Sequence, residues 1–132
     1  ADISNELKDF SPFDISAGEQ QKLGLAMVWL ADADIVMLDE PTKSLDMGCR
    51  NILRTLVDNR RNGKTIIIAS HDMDFISETA TEAVFMFDGK AVSHGDLRAF
   101  FGANVFYTPS ISRALRDLNV PVIRTEDIIY EN

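Results

Sequence analysis

The stretch from Asp34 to Asp46, Asp-Ile-Val-Met-Leu-Asp-Glu-Pro-Thr-Lys-Ser-Leu-Asp, constrains the fold of this chain more than any other. Four apolar residues, Ile35 to Leu38, run straight into two adjacent carboxylates, Asp39 and Glu40, and then into a proline turn. A strand that is apolar on both faces is buried on both, which predicts a central strand of a parallel sheet. Ligands of open α/β sheets sit beyond the carboxyl ends of such strands. Asp39 and Glu40 thus stand where a magnesium-holding acid and a general base serve phosphoryl transfer. That reaction needs positioned water, a metal and charge stabilisation rather than covalent help. Read alone, the same residues also fit a solvated strand end before a turn. The pattern Gly-x-x-x-x-Gly-Lys-Ser/Thr, whose backbone cradles phosphates, occurs nowhere in the 132 residues.

The elements around this stretch follow from capping and periodicity. Ser16 to Glu19 reads Ser-x-x-Glu, a capping box that opens a helix to about Ala31. That helix is apolar nearly all round, from Leu23 to Leu30, which predicts burial. Ile35–Asp39 is the first strand. Asp46 can cap a second helix to about Asn62, stopped by Gly63. Thr65–Ala69 is a second buried strand, so strand, helix and strand form a βαβ unit. Asp72 can cap a third helix to Ala80. Ala83–Phe87 and Ala91–Ser93 flank Asp88-Gly89, a hairpin turn signal. A short helix over Asp96–Phe101 closes at Gly102, and Thr108-Pro109 opens a last helix to about Leu118. Pro121–Arg124 is a possible further strand.

Three more segments carry chemistry. Ile15-Ser-Ala-Gly-Glu-Gln-Gln-Lys22 is a helix start, and such a start also offers free N–H groups and a positive dipole end to an anion. There the small Ala17 and Gly18 allow close backbone approach, and Ser16 adds a hydroxyl. Ser70-His71-Asp72 follows the strand expected beside the Asp39 strand, so His71 can reach the same sheet edge. A histidine in that place is also an ordinary surface residue. His94 reads as a loop residue. Asp46 is a helix cap that can also hydrogen-bond across a subunit interface.

Composition bounds the alternatives. Net charge is −8, and the 13 Lys and Arg are scattered without a basic stripe, which argues against nucleic acid as a partner. Cys49 is the single cysteine and reads as a small packing residue, so neither a disulfide framework nor a Cys-rich zinc site fits within one chain. No run of about 18 apolar residues or signal peptide is visible, and the chain reads as cytoplasmic.

Taken together, these segments resemble the ATPase subunit of ABC transporters. Ile15-Ser-Ala-Gly-Glu19 is similar to the signature motif, followed by the matching Gln21 and Lys22. Ala17 replaces its usual first glycine, and Glu19 its usual glutamine. Ile35 to Glu40 is similar to Walker B with its catalytic glutamate, Lys43-Ser-Leu-Asp46 to the D-loop, and His71 to the switch histidine. The resemblance runs from about residue 10 to 101. It implies an α/β fold: a partial P-loop NTPase domain with a parallel-sheet core, flanking helices and a C-terminal β-hairpin. It also implies that residues 1–102 are the C-terminal part of an ATPase domain, from the signature onward and without Walker A, with 103–132 as an extension.

The implied cofactors are ATP and Mg²⁺. The implied catalytic residues are Glu40 and His71, with Asp39 as the metal ligand. Ser16, Ala17, Gly18, Glu19 and Asp46 are the implied nucleotide and interface residues, presented to a second ATPase domain in a dimer or tandem. Membrane-spanning transporter subunits are the other implied partners, which would place the protein on the inner face of the cell membrane. Ser-x-Gly-Glu-Gln-Gln and the stretch Gly95 to Thr108, followed by Arg113 and Arg116, look like the energy-coupling-factor branch, which takes up vitamins or metals such as cobalt. Two rivals stand beside this reading. One is an ABC-type ATPase outside transport; the other is a binding or regulatory module that has lost catalysis.

Overall fold

The computed structural model describes residues 11, 13–60, 63–103, 108–114, 123, 124 and 127. They fall into two compact units, one up to His71 and one from Asp72.

In the first unit, α1 spans Ala17–Leu30, β1 Ile35–Asp39, α2 Met47–Arg60 and β2 Thr65–Ala69. The two strands pair in parallel, from Ile35 opposite Thr65 to Asp39 opposite Ala69. The backbone N–H of Glu40 donates to Ala69 O at 2.8 Å and carries the ladder one residue further. This register sets the two carboxyl ends side by side. Val36, Leu38, Leu45, Leu53 and Val57 are buried and form the core of this unit. Arg60, in the last turn of α2, donates to Trp29 O at 2.9 Å and lies 5.4 Å over the Trp29 ring. A cation there satisfies carbonyls that the end of α1 leaves open. Gly63 takes φ +87°, the left-handed geometry expected after α2.

Three expectations of burial change here. β2 is not a buried strand among the described residues: Ile66 and Ile68 are half-buried and Ile67 is exposed, because only one face is covered. β1 has one neighbour among the described residues, so it is not a central strand within them. Its side chains alternate: Val36 and Leu38 are buried, while Ile35 and Met37 are exposed. Side chains on a strand point to opposite faces in turn, so one covered face buries only every second residue. α1 has no fully buried residue, with Met27 and Leu30 exposed. All three elements carry apolar surface that the described residues do not cover.

The second unit holds α3 Met73–Thr79, β3 Glu82–Phe87, β4 Lys90–Asp96, α4 Leu97–Ala103 and α5 Ser110–Ala114. The Asp72 carboxylate accepts from Phe75 N at 3.1 Å and caps α3. β3 and β4 pair antiparallel around Asp88-Gly89. Both turn residues have positive φ, as the two-residue hairpin turn requires. His94 lies in β4 opposite Val84, not in a loop as expected, because β4 continues three residues beyond Ser93. α4 likewise runs past Gly102 to Ala103 instead of closing before it. Residues 115–122, Arg116 among them, lie outside the described residues, and with them the first half of the possible strand at 121–124. Phe75, Ile76, Leu97, Phe100, Phe101 and Ile123 form the core of this unit. Arg124 donates to Ser77 O and Ala80 O at 2.7 and 2.9 Å, closing the end of α3. Ser110 donates from both N and Oγ to the Asp74 carboxylate. Among the described residues no helix is long and apolar enough to cross a membrane.

Candidate functional site

The parallel register brings three predicted residues to one strand edge. Asp39 ends β1 with an exposed side chain that meets no partner among the described residues. Glu40 follows with φ +45°, a left-handed conformation rare for a residue with a side chain. Its carboxylate is anchored. Oε1 lies 2.7 Å from His71 Nδ1 and accepts from His71 N at 3.2 Å, while Oε2 accepts from Ser70 Oγ at 3.2 Å. An ionised carboxylate only accepts, so Nδ1 carries the proton in this pair. His71 itself is 87% exposed, which leaves Nε2 open to solvent.

The second constellation is the start of α1. Ser16 N donates to Glu19 Oε2 at 2.9 Å, and Glu19 N donates to Ser16 Oγ at 3.3 Å, a complete capping box. The Ser16 hydroxyl also donates to Glu19 Oε2 at 2.6 Å. The Ser16 hydroxyl and backbone N–H hold the Glu19 carboxyl below its ordinary value of 4.5. Ala17 is exposed, so nothing crowds the helix start there. Gly18 has an internal reason to be glycine: a Cβ on it would sit 2.9 Å from Ser44 O.

Asp46 caps α2 as expected. Its Oδ1 accepts from Cys49 N at 2.8 Å, and Oδ2 lies 3.4 Å from Cys49 Sγ. The Cys49 backbone N–H, then its thiol, holds the Asp46 carboxyl below its ordinary 3.8. Lys22 Nζ stands 3.9 Å from the same carboxylate. Asp46 is therefore tied to the α1 segment as well as to its own helix.

Two contributors lie inside motif segments whose pattern gives them no role of their own. Ser70 holds the second oxygen of Glu40; its place just past β2, beside Glu40, is the signal that finds it. Gln21 Nε2 donates to Pro41 O at 3.2 Å. It lies three residues from Gly18, hence on the same helix face.

The residues present fit a magnesium ion held jointly with a phosphate. Mg²⁺ keeps several waters and takes one or two carboxylates plus substrate oxygens. A single exposed, unpaired carboxylate, Asp39, is a donor set of that kind. Among the described residues no cluster of three or more His, Cys, Asp or Glu exists to hold an ion alone.

The family model described as ABC transporter matches residues 2–43. A protein of Bacillus thuringiensis named an ABC transporter ATP-binding protein is 36% identical over 126 residues, which is 95% of this chain and 23% of that protein. The energy-coupling factor transporter ATP-binding protein of Mesomycoplasma hyopneumoniae is 36% identical over 97 residues, 73% of this chain and 32% of that one. The solved dimeric structure of a bacterial ABC transporter cassette superposes with a TM-score of 0.64 at 23% identity, covering 72% of this chain and 41% of the cassette. That likeness establishes the α/β cassette fold. The chain spans less than half the length of each of these relatives.

Proposed function

This chain carries part of an ABC transporter ATPase domain, and on that premise we propose that it serves an ATP-hydrolysing subunit that drives small-molecule uptake. The observation that carries the reading is the Glu40 carboxylate fixed between Ser70 and His71, one residue after the unpaired Asp39. Glu40 is the general base that orients and polarises the attacking water. His71 fixes the carboxylate through Nδ1 and turns Nε2 toward the γ-phosphate. Asp39 would hold Mg²⁺, which would supply charge to offset the phosphate charge that builds during transfer.

The helix-start residues serve a second nucleotide. Ser16, Ala17, Gly18 and Glu19 face the ATP of a partner ATPase domain, and Asp46 lies at the interface between the two. The solved dimeric cassette supports this arrangement by fold. Membrane-spanning subunits would carry the substrate, with this protein on the cytoplasmic face beneath them. The energy-coupling factor relative favours the branch that imports vitamins or metal ions such as cobalt, in keeping with Glu19-Gln20-Gln21.

The test is Glu40→Gln in an ATPase that joins these residues to a phosphate-binding loop. The amide fills the same space but cannot act as base. Nucleotide affinity should persist while turnover falls about 10²–10⁴-fold, the usual cost of losing a positioned base. Turnover close to that of the unaltered enzyme would remove Glu40 from the base role.

A further inference from the structure

The two constellations are mechanically joined, and the joint is at Gln21. The segment between them, Glu40 to Ser44, is a tight turn. Lys43 N donates to Glu40 O at 3.1 Å, and Leu45 N donates to Thr42 O at 3.2 Å. Both ends of this turn are left-handed and neither is glycine: Glu40 has φ +45° and Ser44 has φ +62°. Such conformations persist only where neighbours impose them. Pro41 and Thr42 between them are almost completely buried, which leaves the turn little room to relax.

Two of the imposing contacts come from one face of α1. Gln21 donates to the carbonyl of Pro41, the residue that directly follows Glu40. Only the amide nitrogen can pair with a carbonyl oxygen, so the orientation of the Gln21 amide is fixed by chemistry. Gly18, one turn earlier, lets Ser44 O approach to a distance that no Cβ would tolerate. The Lys22 ammonium adds a looser attraction to Asp46 at 3.9 Å. α1 therefore grips the turn at residues 41 and 44, while Ser70 and His71 hold the Glu40 side chain from β2's end.

We propose that Gln21 is a positioning residue for Glu40, binding the helix start and the strand-end acid into one unit. Under the proposed function, on which the catalytic half of this inference rests, the helix start senses a partner's nucleotide. A displacement of α1 then moves Pro41 and reorients Glu40. Gln21 touches neither substrate nor water in this role; it acts through the Pro41 carbonyl.

Two substitutions isolate the hydrogen bond. Gln21→Met keeps length and helix preference but has no donor. Gln21→Lys keeps a donor of similar reach. On this chain, amide hydrogen exchange resolved by NMR should show His71 and Lys43 exchanging about tenfold faster in Gln21→Met, the factor one lost hydrogen bond commands. The Val36 amide, inside β1, should change far less, and Gln21→Lys should restore the original rates. Equal acceleration at Val36, His71 and Lys43 means a purely structural role and overturns the proposal. Should Gln21→Met fail to fold, Gln21→Glu removes the donor while keeping the same shape and reads the same rates.

In an ATPase with a phosphate loop, Gln21→Met should lower kcat with KM for ATP little changed, and Gln21→Lys should recover it. An unchanged kcat where Glu40→Gln is inactive refutes the positioning role and leaves the reading of Glu40 intact. A fully active Glu40→Gln enzyme refutes that reading instead, and the exchange pattern still decides whether Gln21 holds the turn.

Discussion

The helix-start half and the strand-end half of this site are built on opposite principles. At the helix start, the capping partners are close in sequence: Ser16 and Glu19 satisfy each other within one turn. At the strand end, Glu40 meets residues about thirty positions away, Ser70 and His71, brought there only by parallel pairing. The difference has a chemical consequence. The Ser16 hydroxyl is already donating to a carboxylate, so it must be released before it can meet an anion. Glu40 is already oriented, with Asp39 open beside it. Under the proposed function, the strand end is oriented in advance, whereas the helix start would have to rearrange to take part.

The most disruptive way to break this comparison is Ser16→Arg. A long side chain at the exposed helix start obstructs approach of a partner's phosphate. In a phosphate-loop ATPase carrying Glu40→Gln, sedimentation with ATP should show the closed dimer, and adding Ser16→Arg should abolish it. Unchanged closure would reduce residues 15–22 to a helix cap. Next in size is His71→Ala. Losing its bond to Glu40 should cut turnover by about tenfold to a hundredfold, less than loss of the base itself. If only thermal stability falls, His71 is an ordinary surface histidine.

Glu19→Gln sharpens the comparison from the other side. Glutamine can complete a capping box as glutamate does, so helix stability should change little. The Ser16 hydroxyl would be freed from a charged acceptor, and ATP-driven closure should tighten. Closure weakened by this change would show that the Glu19 charge helps rather than competes.

The smallest expected effect is on pH. Glu19 and Asp46 are held below their ordinary values of 4.5 and 3.8 in the folded state. Carboxyls with lowered folded values contribute stability that is fully present above those ordinary values. It is lost as pH falls through the lowered ones. Stability should therefore be insensitive to these groups at neutral pH and should decline as pH falls through about 4.5, where unfolded Glu19 is half protonated. Melting curves of the chain and of Glu19→Gln between pH 3 and 7 would check this, with a shallower acid decline expected for the variant. Identical acid declines would remove Glu19 from the account.

What could be read in advance follows the same division. The boundaries of β1 and β2, the capping box at Ser16, the Asp46 and Asp72 caps and the Asp88-Gly89 turn are all local signals, and the structure reproduces them. The shared edge of Glu40 and His71 is legible once Thr65–Ala69 is the neighbouring strand; the hydrogen bond between them is not. Gln21 and Ser70 were harder to find, because their roles depend on a turn whose backbone conformation no side-chain pattern announces. The pattern at Gly18 suggests close approach to a phosphate, yet the Ser44 carbonyl alone already demands a glycine there. The apolar residues of α1 and the second face of β1 show how far pattern reaches. They mark surface that wants cover, but say nothing of what supplies it.

Under the proposed function these 132 residues hold two half-sites, each of which needs a phosphate-binding loop that the chain's own sequence does not contain. Most phosphate contacts in such sites come from that loop's backbone and its lysine. Calorimetric titration of the purified chain with Mg-ATP tests the claim most directly. The predicted result is no saturable heat up to about millimolar nucleotide, with a weakly held anion at the Ser16 helix start as the most that appears. Saturable binding at about micromolar concentration or tighter would contradict it, since phosphates would then be gripped by residues to which this account gives no such role.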